Sequence, residues 1–301
     1  MKNFNSILEL ANEYNTDLKC RKYLEEILWN NKPVCAHCGN EEICSFADGR
    51  RFKCKTCKEQ FTVTVGTIFE GSHLPLQKWF MGMYLLTAHS NGISSLQLSK
   101  DLGITQKSAW YMAHRIRFAI RQQSFLAPFG NTIVEMDETY VRGVESNRHA
   151  SKRGIKQMKP VFGMVCRNTK QVRTQVVDNT KHETLMPIIR ENVKSNSAII
   201  TDSSTSYHSL IHTYQHFSVN HSAGEYVRGK VHTNTIENFW SIFKRGYIGT
   251  YHQMSVKHLD KYLDEFEFRF NNREDKGQVK LNSVIAKSNG YLSYKTLIAK
   301  K

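Results

Sequence analysis

Four cysteines of the chain stand at a spacing that suits a metal ion. Cys35 and Cys38 form one Cys-x-x-Cys pair, Cys54 and Cys57 form a second, and fifteen residues separate the two pairs. Four thiolates at this spacing can surround one tetrahedral Zn²⁺. Asp48-Gly49 lies between the pairs and favours a tight turn between two short strands. The pattern therefore predicts a zinc ribbon with a structural Zn²⁺.

Three acidic residues, Asp137, Asp202 and Glu237, could hold catalytic divalent cations, because Mg²⁺ prefers hard oxygen ligands. Each acid also has a structural explanation. Asp137 could face solvent on an edge strand, and Asp202 could be the N-cap of a following helix. Asn234 with Glu237 three positions later is a capping-box pattern, in which Glu237 would only close the start of a helix. The residues themselves leave both explanations open.

The chain carries a large positive charge. Its 42 Lys and Arg residues against 27 Asp and Glu give a formal net charge of +15 over 301 residues. This points to a polyanionic partner such as nucleic acid, while a generally basic surface is the alternative. The N-terminus lacks the pattern of a secretory signal, and the longest apolar stretch, residues 79–86, is too short to span a bilayer. We expect a cytoplasmic protein with no membrane partner.

The first 128 residues are expected to form three small regions. From the N-terminus these are a helical pair in residues 1–30, the zinc ribbon in residues 31–70 and three helices in residues 71–128. In the third region a helix is predicted over residues 95–102. Gly103-Ile104 then turns into another helix, which Thr105 caps. This order is typical of a helix-turn-helix.

The last of these helices is predicted to read DNA. Cationic and polar side chains near its N-terminal end would suit a major groove, where cations bind phosphates and polar groups contact base edges. An ordinary three-helix packing that never touches DNA is the alternative. The candidate residues are Gln106, Lys107, Ser108, Tyr111 and Arg115.

From residue 131 onward the sequence predicts a mixed α/β domain. Strands are expected at residues 132–141, 160–166, 171–177 and 197–201, with helices at about 183–193 and 235–247. Asp137 lies in the middle of the first strand, where an ionised carboxylate needs a compensating cation. Asp202 comes directly after the fourth strand, where ligands commonly gather. Glu237 lies in the last helix, and Lys244 follows on the same face seven positions later.

On these motifs the chain resembles the ISXO-like transposases, a group of the DDE transposases of bacterial insertion sequences. The similarity covers roughly residues 18–290. It rests on the stretches "RFKCKTCKEQFTVTVGTIFEGSHLPLQKWF", "VEMDETYVRG", "HTNTIENFWSIFKRGYIGTYH" and "HLDKYLDEFEFRFNNR". The resemblance implies an α+β multidomain fold, in which residues 129–290 form a ribonuclease-H-like catalytic domain and residues 291–301 a C-terminal tail.

The resemblance also implies a reaction. A phosphodiester at the end of the element would be hydrolysed, and the freed 3′-hydroxyl would attack target DNA, with two Mg²⁺ or Mn²⁺ ions assisting both steps. Asp137 would bridge the two ions, while Asp202 and Glu237 would each hold one. Lys244 would contact a phosphate or a terminal base. Some relatives have Asn in place of the third acid, so Asn234 or Asn238 is an alternative to Glu237.

The implied partners are double-stranded DNA, both terminal inverted repeats and target, and further copies of the chain on that DNA. A basic segment after the first strand, including Arg153 and Lys156, is expected to contact DNA, and a solvated loop is the alternative. The expected location is the bacterial cytoplasm, in association with the nucleoid. Two rival functions remain: a zinc-ribbon and helix-turn-helix transcription regulator, and a ribonuclease-H-like nuclease or resolvase that cuts without joining.

Overall fold

The computed structural model describes residues 4, 6–121, 127–142, 158–220, 224 and 227–299. The chain divides into two compact units. The first combines Met1–Gln122 with Glu274–Lys301, and the second is Gln123–Arg273. Within the described ranges, no helix is both long and apolar enough to cross a membrane.

The elements are numbered in chain order. The helices are α1 Ile7–Glu13, α2 Asp17–Trp29, α3 Leu76–Ala88, α4 Ser95–Leu102, α5 Gln106–Arg121, α6 His182–Asn192, α7 Asn234–Gly246, α8 Leu259–Asn271, α9 Gly277–Ala286 and α10 Tyr294–Ile298. The strands are β1 Ile43–Ser45, β2 Phe52–Cys54, β3 Gln60–Phe61, β4 Ile133–Arg142, β5 Met158–Cys166, β6 Gln171–Val176, β7 Ala198–Asp202 and β8 Gln215–Val219. Short 3₁₀ helices span Thr205–His212 and Val256–His258, and a π-helical turn spans Tyr247–Tyr251.

Strands β1, β2 and β3 form a small antiparallel sheet in the first unit. The hairpin between β1 and β2 turns at Asp48 and Gly49. Gly49 has a φ of +62°, a left-handed conformation that glycine adopts without a steric penalty. Oδ1 of Asp48 accepts the N–H groups of Arg50 and Arg51. The hairpin expected for the zinc ribbon is confirmed.

Helices α4 and α5 form the expected helix-turn-helix. The Ser94 hydroxyl accepts the N–H of Gln97 and so caps α4, which ends at Gly103 with a φ of +57°. The Thr105 hydroxyl accepts the N–H of Ser108 at the start of α5. The capping and turn residues seen in the sequence therefore set the ends of both helices.

Helices α9 and α10 belong to the first unit. Tyr23 on α2 donates its hydroxyl to Asn282 on α9 at 2.5 Å, and the N–H of Ile68 donates to the carbonyl of Ser288 at 2.8 Å. Residues 274–290 were expected to belong to the catalytic domain, whereas residues 274–301 belong to the same compact unit as the N-terminal residues. The order of helices along the chain does not reveal which unit each helix packs on. The domain bounds expected from the sequence stay predictions.

The second unit is built on a five-stranded sheet in the order β6-β5-β4-β7-β8. Strands β4, β5 and β6 are antiparallel neighbours, while β7 runs parallel to both β4 and β8. This order and these directions are those of the ribonuclease-H-like fold, so the expected fold class is confirmed. Strand β8 was not expected from the sequence, because its short and mostly solvent-accessible stretch carries little apolar signal.

Two apolar cores lie on opposite faces of this sheet. Val134 and Met136 of β4 belong to the core that includes α6. Val141 belongs to the core that includes α7 and α8. Because side chains alternate along a strand, Glu135 and Asp137 share the α7 face with Val141. The strand pattern thus directs Asp137 towards the helix that carries Glu237.

Candidate active site

Asp137 lies at the centre of the sheet. Strand β4 has a neighbour on each side, so the edge-strand explanation for Asp137 does not hold. Burial raises the pKa of Asp137 from 3.8 to about 6, and the negative charges of Asp202 and Glu237 add to the rise. The N–H of Glu138, which donates to Oδ1 of Asp137 at 2.8 Å, and the charge of Lys244 act in the opposite direction. The four predicted catalytic residues therefore share one electrostatic environment.

Asp202 is the last residue of β7, the parallel neighbour of β4. Glu135 pairs with Ile200, and the same register continued by two residues puts Asp202 level with Asp137. Oδ1 of Asp202 accepts the N–H of Ser204 at 3.0 Å. Ser204, rather than Asp202, caps the 3₁₀ helix that follows. The N-cap explanation for Asp202 is therefore not supported.

Glu237 and Lys244 line one pocket together with Asp137. The pocket has a volume of about 650 Å³. Its lining residues are Asp137, Glu237, Trp240, Ser241, Lys244, Arg245, Ile248 and Gly249. The α7 members recur at intervals of three and four, so they form one face of the helix, which continues into the π-helical turn. The pocket joins carboxylates at one end to two cationic side chains farther along α7.

The capping box that Asn234 and Glu237 could have formed is replaced by another arrangement. Helix α7 begins at Asn234, and Thr233 donates its hydroxyl to Oε1 of Glu237 at 2.6 Å. The N–H groups of Thr235 and Ile236 both donate to Oε2 of Glu135, at 2.8 and 3.0 Å. A carboxylate from β4 therefore caps the helix, and Glu237 contributes its side chain to the pocket. Asn234 is exposed and is not one of the pocket residues.

Glu135 is a fully buried acid that the sequence analysis did not select. Its side chain is 0% exposed. Nε of Arg167 donates to Oε1 of Glu135 at 2.5 Å, and Nη2 of Arg167 donates to the carbonyl of His232 at 2.6 Å. A signal for Glu135 was present in the sequence, since it lies two residues before Asp137 and therefore on the same face of the strand.

Glu138 lies on the opposite face of β4 and accepts a hydrogen bond from the hydroxyl of Tyr207. Burial raises the pKa of Glu138 to about 7, and the charges of Asp137 and Asp202 contribute to the rise. Several carboxyl groups thus crowd this part of the sheet. Such a group of acids is stabilised by protons or by a bound cation.

The four cysteines of the ribbon lie close together. Sγ of Cys35 is 3.6 Å from Sγ of Cys57, and Sγ of Cys38 is 3.6 Å from Sγ of Cys54. All four sulfur atoms lie within 4.8 Å of one another. Zn–S bonds of about 2.3 Å in a tetrahedron place sulfur atoms roughly 3.8 Å apart, so this group of thiols fits one Zn²⁺.

The candidate DNA-reading residues of α5 fall into two groups. Gln106 and Lys107 are exposed at the start of the helix, with Ser108 partly exposed beside them. These three side chains remain accessible to a partner of the first unit. Arg153 and Lys156, the candidates from the basic segment, lie outside the described residues.

Tyr111 and Arg115 make contacts inside the first unit. The hydroxyl of Tyr111 donates to the carbonyl of Leu292 at 2.6 Å. Arg115 is 2% exposed, lies over the ring of Trp79 and donates to the carbonyl of Glu70. These contacts use the groups that were expected to reach DNA, and they count against a DNA-reading role for both residues.

Two family descriptions match the chain. Residues 130–271 match the ISXO2-like transposase domain, and residues 15–60 match the transposase zinc-ribbon domain. A protein in transposable element ISH50 of Halobacterium salinarum is 25% identical over 272 residues, which cover 84% of this chain and 90% of that protein. A transposase-like protein of Haemophilus influenzae is 38% identical over 118 residues, which cover 39% of this chain and 94% of that protein.

Similar solved structures are more distant. A Mos1 transposase paired-end complex with the left transposon end has a TM-score of 0.29 and 11% identity, covering 71% of this chain and 80% of that chain. A simian T-cell lymphotropic virus intasome in complex with PP2A regulatory subunit B56 gamma has a TM-score of 0.27 and 13% identity, covering 66% of each chain. At these scores neither structure informs the geometry of this site.

Proposed function

The chain belongs to the ISXO2-like transposase family, and we propose that Asp137, Asp202 and Glu237 hold the divalent cations with which it cuts and joins DNA. The protein is a DNA transposase.

The proximity of acids from three different elements supports this proposal, because Asp202 and Glu237 both act electrostatically on Asp137. Asp137 of β4 and Glu237 of α7 line the same pocket, and Asp202 of β7 stands level with Asp137. The raised pKa of Asp137 reports burial and repulsion among these acids. A divalent cation would offset both effects, and carboxylate oxygens are the donors that Mg²⁺ and Mn²⁺ prefer, so the residues fit such ions.

Each pocket residue then has a physical role. The bound cations would supply activation of the attacking oxygen and stabilisation of the leaving oxygen. Lys244 and Arg245, which line the same pocket, would bind the non-bridging oxygens of the phosphate. Trp240 and Ile248 would give the pocket an apolar side against which the DNA could pack. Glu237 is favoured over Asn234 and Asn238 as the third ligand because it is the one of the three that lines the pocket.

The other parts of the chain would bind and organise the DNA. Cys35, Cys38, Cys54 and Cys57 would hold a structural Zn²⁺ in the ribbon. Gln106, Lys107 and Ser108 would contact DNA from the start of α5, and the segment with Arg153 and Lys156 would contact it from the catalytic domain. The chain would act as a homo-oligomer on paired element ends and on target DNA.

A strand-transfer assay tests the proposal. The substrate is a duplex that carries the inverted repeat flanking the gene, precleaved at its 3′ end, together with a target plasmid and Mg²⁺ or Mn²⁺. Wild type is compared with Asp202→Ala and with Asp178→Ala. Asp178 is a matched control, because its side chain is 91% exposed and it pairs with Lys159 away from the pocket.

We expect wild type and Asp178→Ala to join DNA, and Asp202→Ala to lose joining by about a hundredfold or more, since each ~1.4 kcal/mol of barrier is tenfold. Wild-type cleavage without joining would favour the nuclease alternative. Metal-independent binding with neither cleavage nor joining would favour the regulator alternative. Equal joining by wild type and Asp202→Ala would overturn the ligand assignment.

A further inference from the structure

We propose that Glu135 is a positioning residue of this active site, one that fixes the start and the rotation of α7 relative to Asp137. The inference rests on the proposed function, because it concerns how the metal-binding acids are brought together. Glu135 itself is not expected to contact metal or DNA. Its role would be to make two separate elements present their carboxylates to one point.

The contacts of Glu135 are those of a helix cap supplied by a different element. Oε2 accepts the N–H groups of Thr235 and Ile236, and Oε1 accepts the Thr235 hydroxyl at 2.9 Å. The first N–H groups of a helix have no partner within the helix, and a carboxylate there also interacts favourably with the helix dipole. The first turn of α7 is therefore held by both oxygens of one buried side chain.

Arg167 extends this anchor to the segment that leads into α7. Its guanidinium donates to Oε1 of Glu135 through Nε, to the carbonyl of Lys230 through Nη1 at 2.6 Å and to the carbonyl of His232 through Nη2. Nδ1 of His232 lies 3.6 Å from Oε1 of Glu135. The positive charge compensates the buried carboxylate, and the chain is fixed on both sides of the point where α7 begins.

The position of Glu135 on β4 turns this anchor into a link between the acids. Glu135 and Asp137 are two residues apart on one strand and share its α7 face. Glu237 comes directly after Ile236, whose N–H is bound by Glu135. A short rigid path therefore runs from Asp137 through Glu135 and the first turn of α7 to Glu237.

Apolar packing alone would leave this geometry less defined. The buried face of α7 includes the apolar side chains of Ile236, Phe239, Trp240 and Phe243, which pack the helix against the sheet. Apolar contacts are non-directional, whereas hydrogen bonds fix both distance and angle. Small shifts of a metal ligand reduce affinity, and side chains that orient ligands typically affect metal binding or activity by about 10- to 100-fold.

A Mn²⁺ titration tests the proposal without relying on activity. Free Mn²⁺ is measured by electron paramagnetic resonance with the full-length protein, for wild type, Glu135→Gln and Glu267→Gln. Glu267 is a matched control, because it is a partly buried acid of the same unit that lies on α8 rather than α7 and accepts the N–H of Thr174. Thermal unfolding of each variant is recorded in parallel, so that a loss of fold is recognised.

We expect Glu135→Gln to stay folded and to bind Mn²⁺ about tenfold to a hundredfold more weakly than wild type, in line with residues that orient metal ligands. Glu267→Gln should bind Mn²⁺ like wild type. If Glu135→Gln does not fold, the variant Arg167→Lys is used instead. A lysine cannot reach Glu135 and the carbonyls of Lys230 and His232 together, so this variant should bind Mn²⁺ severalfold more weakly than wild type. The positioning role of Glu135 would be overturned if folded Glu135→Gln bound Mn²⁺ with wild-type affinity. If Glu135→Gln does not fold, the same result for folded Arg167→Lys would overturn it.

Asp202→Ala in the same titration separates this inference from the proposed function. If Asp202→Ala binds Mn²⁺ and joins DNA like wild type, the ligand assignment fails, and the inference fails with it. If Asp202→Ala loses both properties while folded Glu135→Gln keeps both, only the role of Glu135 fails. Loss of Mn²⁺ affinity in both variants, with Glu267→Gln unchanged, supports the two together.

Discussion

Gly163 lies so close beneath Trp240 that a Cβ atom on the glycine would be 2.4 Å from Cζ2 of the indole ring. Gly163 is also the residue of β5 that pairs with Asp137 of β4. The missing side chain therefore lets α7 approach the sheet directly beside the central acid. Trp240 lines the pocket with Asp137. The distance of α7 from the sheet and the shape of the pocket therefore both depend on Gly163.

We expect Gly163→Ala to reduce strand transfer strongly while leaving most of the fold intact. A methyl group at this position would push Trp240 and α7 away from β5, since a buried ring has little room to move. Overpacking of a core typically costs about 1–3 kcal/mol. The measurement is the rate of strand transfer beside a thermal unfolding curve.

Gly130→Ala is the control for that substitution. A Cβ at Gly130 would meet the Cδ of Lys194 at 2.8 Å, and the end of a flexible lysine side chain can move aside. This variant should keep wild-type strand transfer. A role of Gly163 in placing α7 would be contradicted if both variants lost activity equally.

The raised pKa of Asp137 predicts how metal binding and stability depend on pH. Because the pKa rises from 3.8 to about 6 on burial, the contribution of Asp137 to stability is complete below pH 4 and is lost as the pH rises through 6. Above pH 6 the acid is ionised, and a divalent cation can replace the proton. The increase in melting temperature caused by Mn²⁺ should therefore be small at pH 5 and large at pH 7.5.

Asp137→Asn checks this linkage. The amide removes the buried charge, so at pH 7.5 the metal-free variant should melt a few degrees above metal-free wild type. Each kcal/mol gained in the free energy of unfolding corresponds to about 2–4 °C in melting temperature. Mn²⁺ should no longer raise its melting temperature. Asp178→Asn serves as the control. Hydrogen bonding to Lys159 lowers the pKa of Asp178, so removing the negative charge of Asp178 should not stabilise the protein. A metal-free Asp137→Asn that melts below wild type would contradict the prediction.

Features that depend on a few neighbouring residues could be predicted from the sequence. The spacing of the cysteines and the turn at Asp48-Gly49 indicated the ribbon, and the β-branched and aromatic residues around Asp137 indicated the strand that carries it. The sequence alone did not show whether Glu237 is a metal ligand or only caps a helix. The true cap, Glu135, lies 100 positions before Thr235 in the chain, and no local pattern connects two residues so far apart.

The cationic pattern of α5 could not distinguish exposed from covered residues, for a related reason. A run of basic residues on a helix does not show which of them are covered by distant parts of the chain. Arg115 is covered by Trp79 and Tyr291, and Tyr111 is bound by Leu292, near the C-terminus. These partners could not be inferred without the tertiary structure.

Zinc removal should affect the ribbon alone. Cys54→Ser removes one of four converging thiols, and we expect loss of bound zinc and of the β1–β2–β3 sheet, since structural zinc sites contribute directly to folding. Cys44→Ser changes an exposed cysteine of β1 outside the thiol cluster and should keep one zinc per chain. Zinc content measured by elemental analysis distinguishes them. Equal zinc in both proteins would contradict the four-cysteine site.

Helix α9 should stabilise the N-terminal unit rather than the catalytic unit. Leu281 is 0% exposed, whereas Val279 on the same helix is 50% exposed. We expect Leu281→Ala to cost about 2–5 kcal/mol and Val279→Ala to have little effect. Hydrogen exchange resolved by segment is the measurement. Faster exchange in α3 with unchanged exchange in β4 and β5 would bear the prediction out, and the reverse pattern would contradict it.

Salt-dependent DNA binding should separate the exposed and buried cations of α5. Lys107 is exposed, so replacing it with Gln should weaken binding and reduce the slope of log K against log salt by about one, the effect of losing one phosphate contact. Arg115→Gln removes the same charge from a buried position between aromatic rings. It should lower the melting temperature and leave the salt slope of the folded protein unchanged.

Each of the two variants removes one positive charge, so the comparison tests whether an exposed or a covered charge binds DNA. Binding is measured at a temperature where unfolding curves show both proteins to be folded. A reduced slope for Arg115→Gln, with an unchanged slope for Lys107→Gln, would reverse the assignment. It would mean that Arg115 leaves Trp79 to reach a phosphate, because a cation that stays covered releases no counterions from DNA.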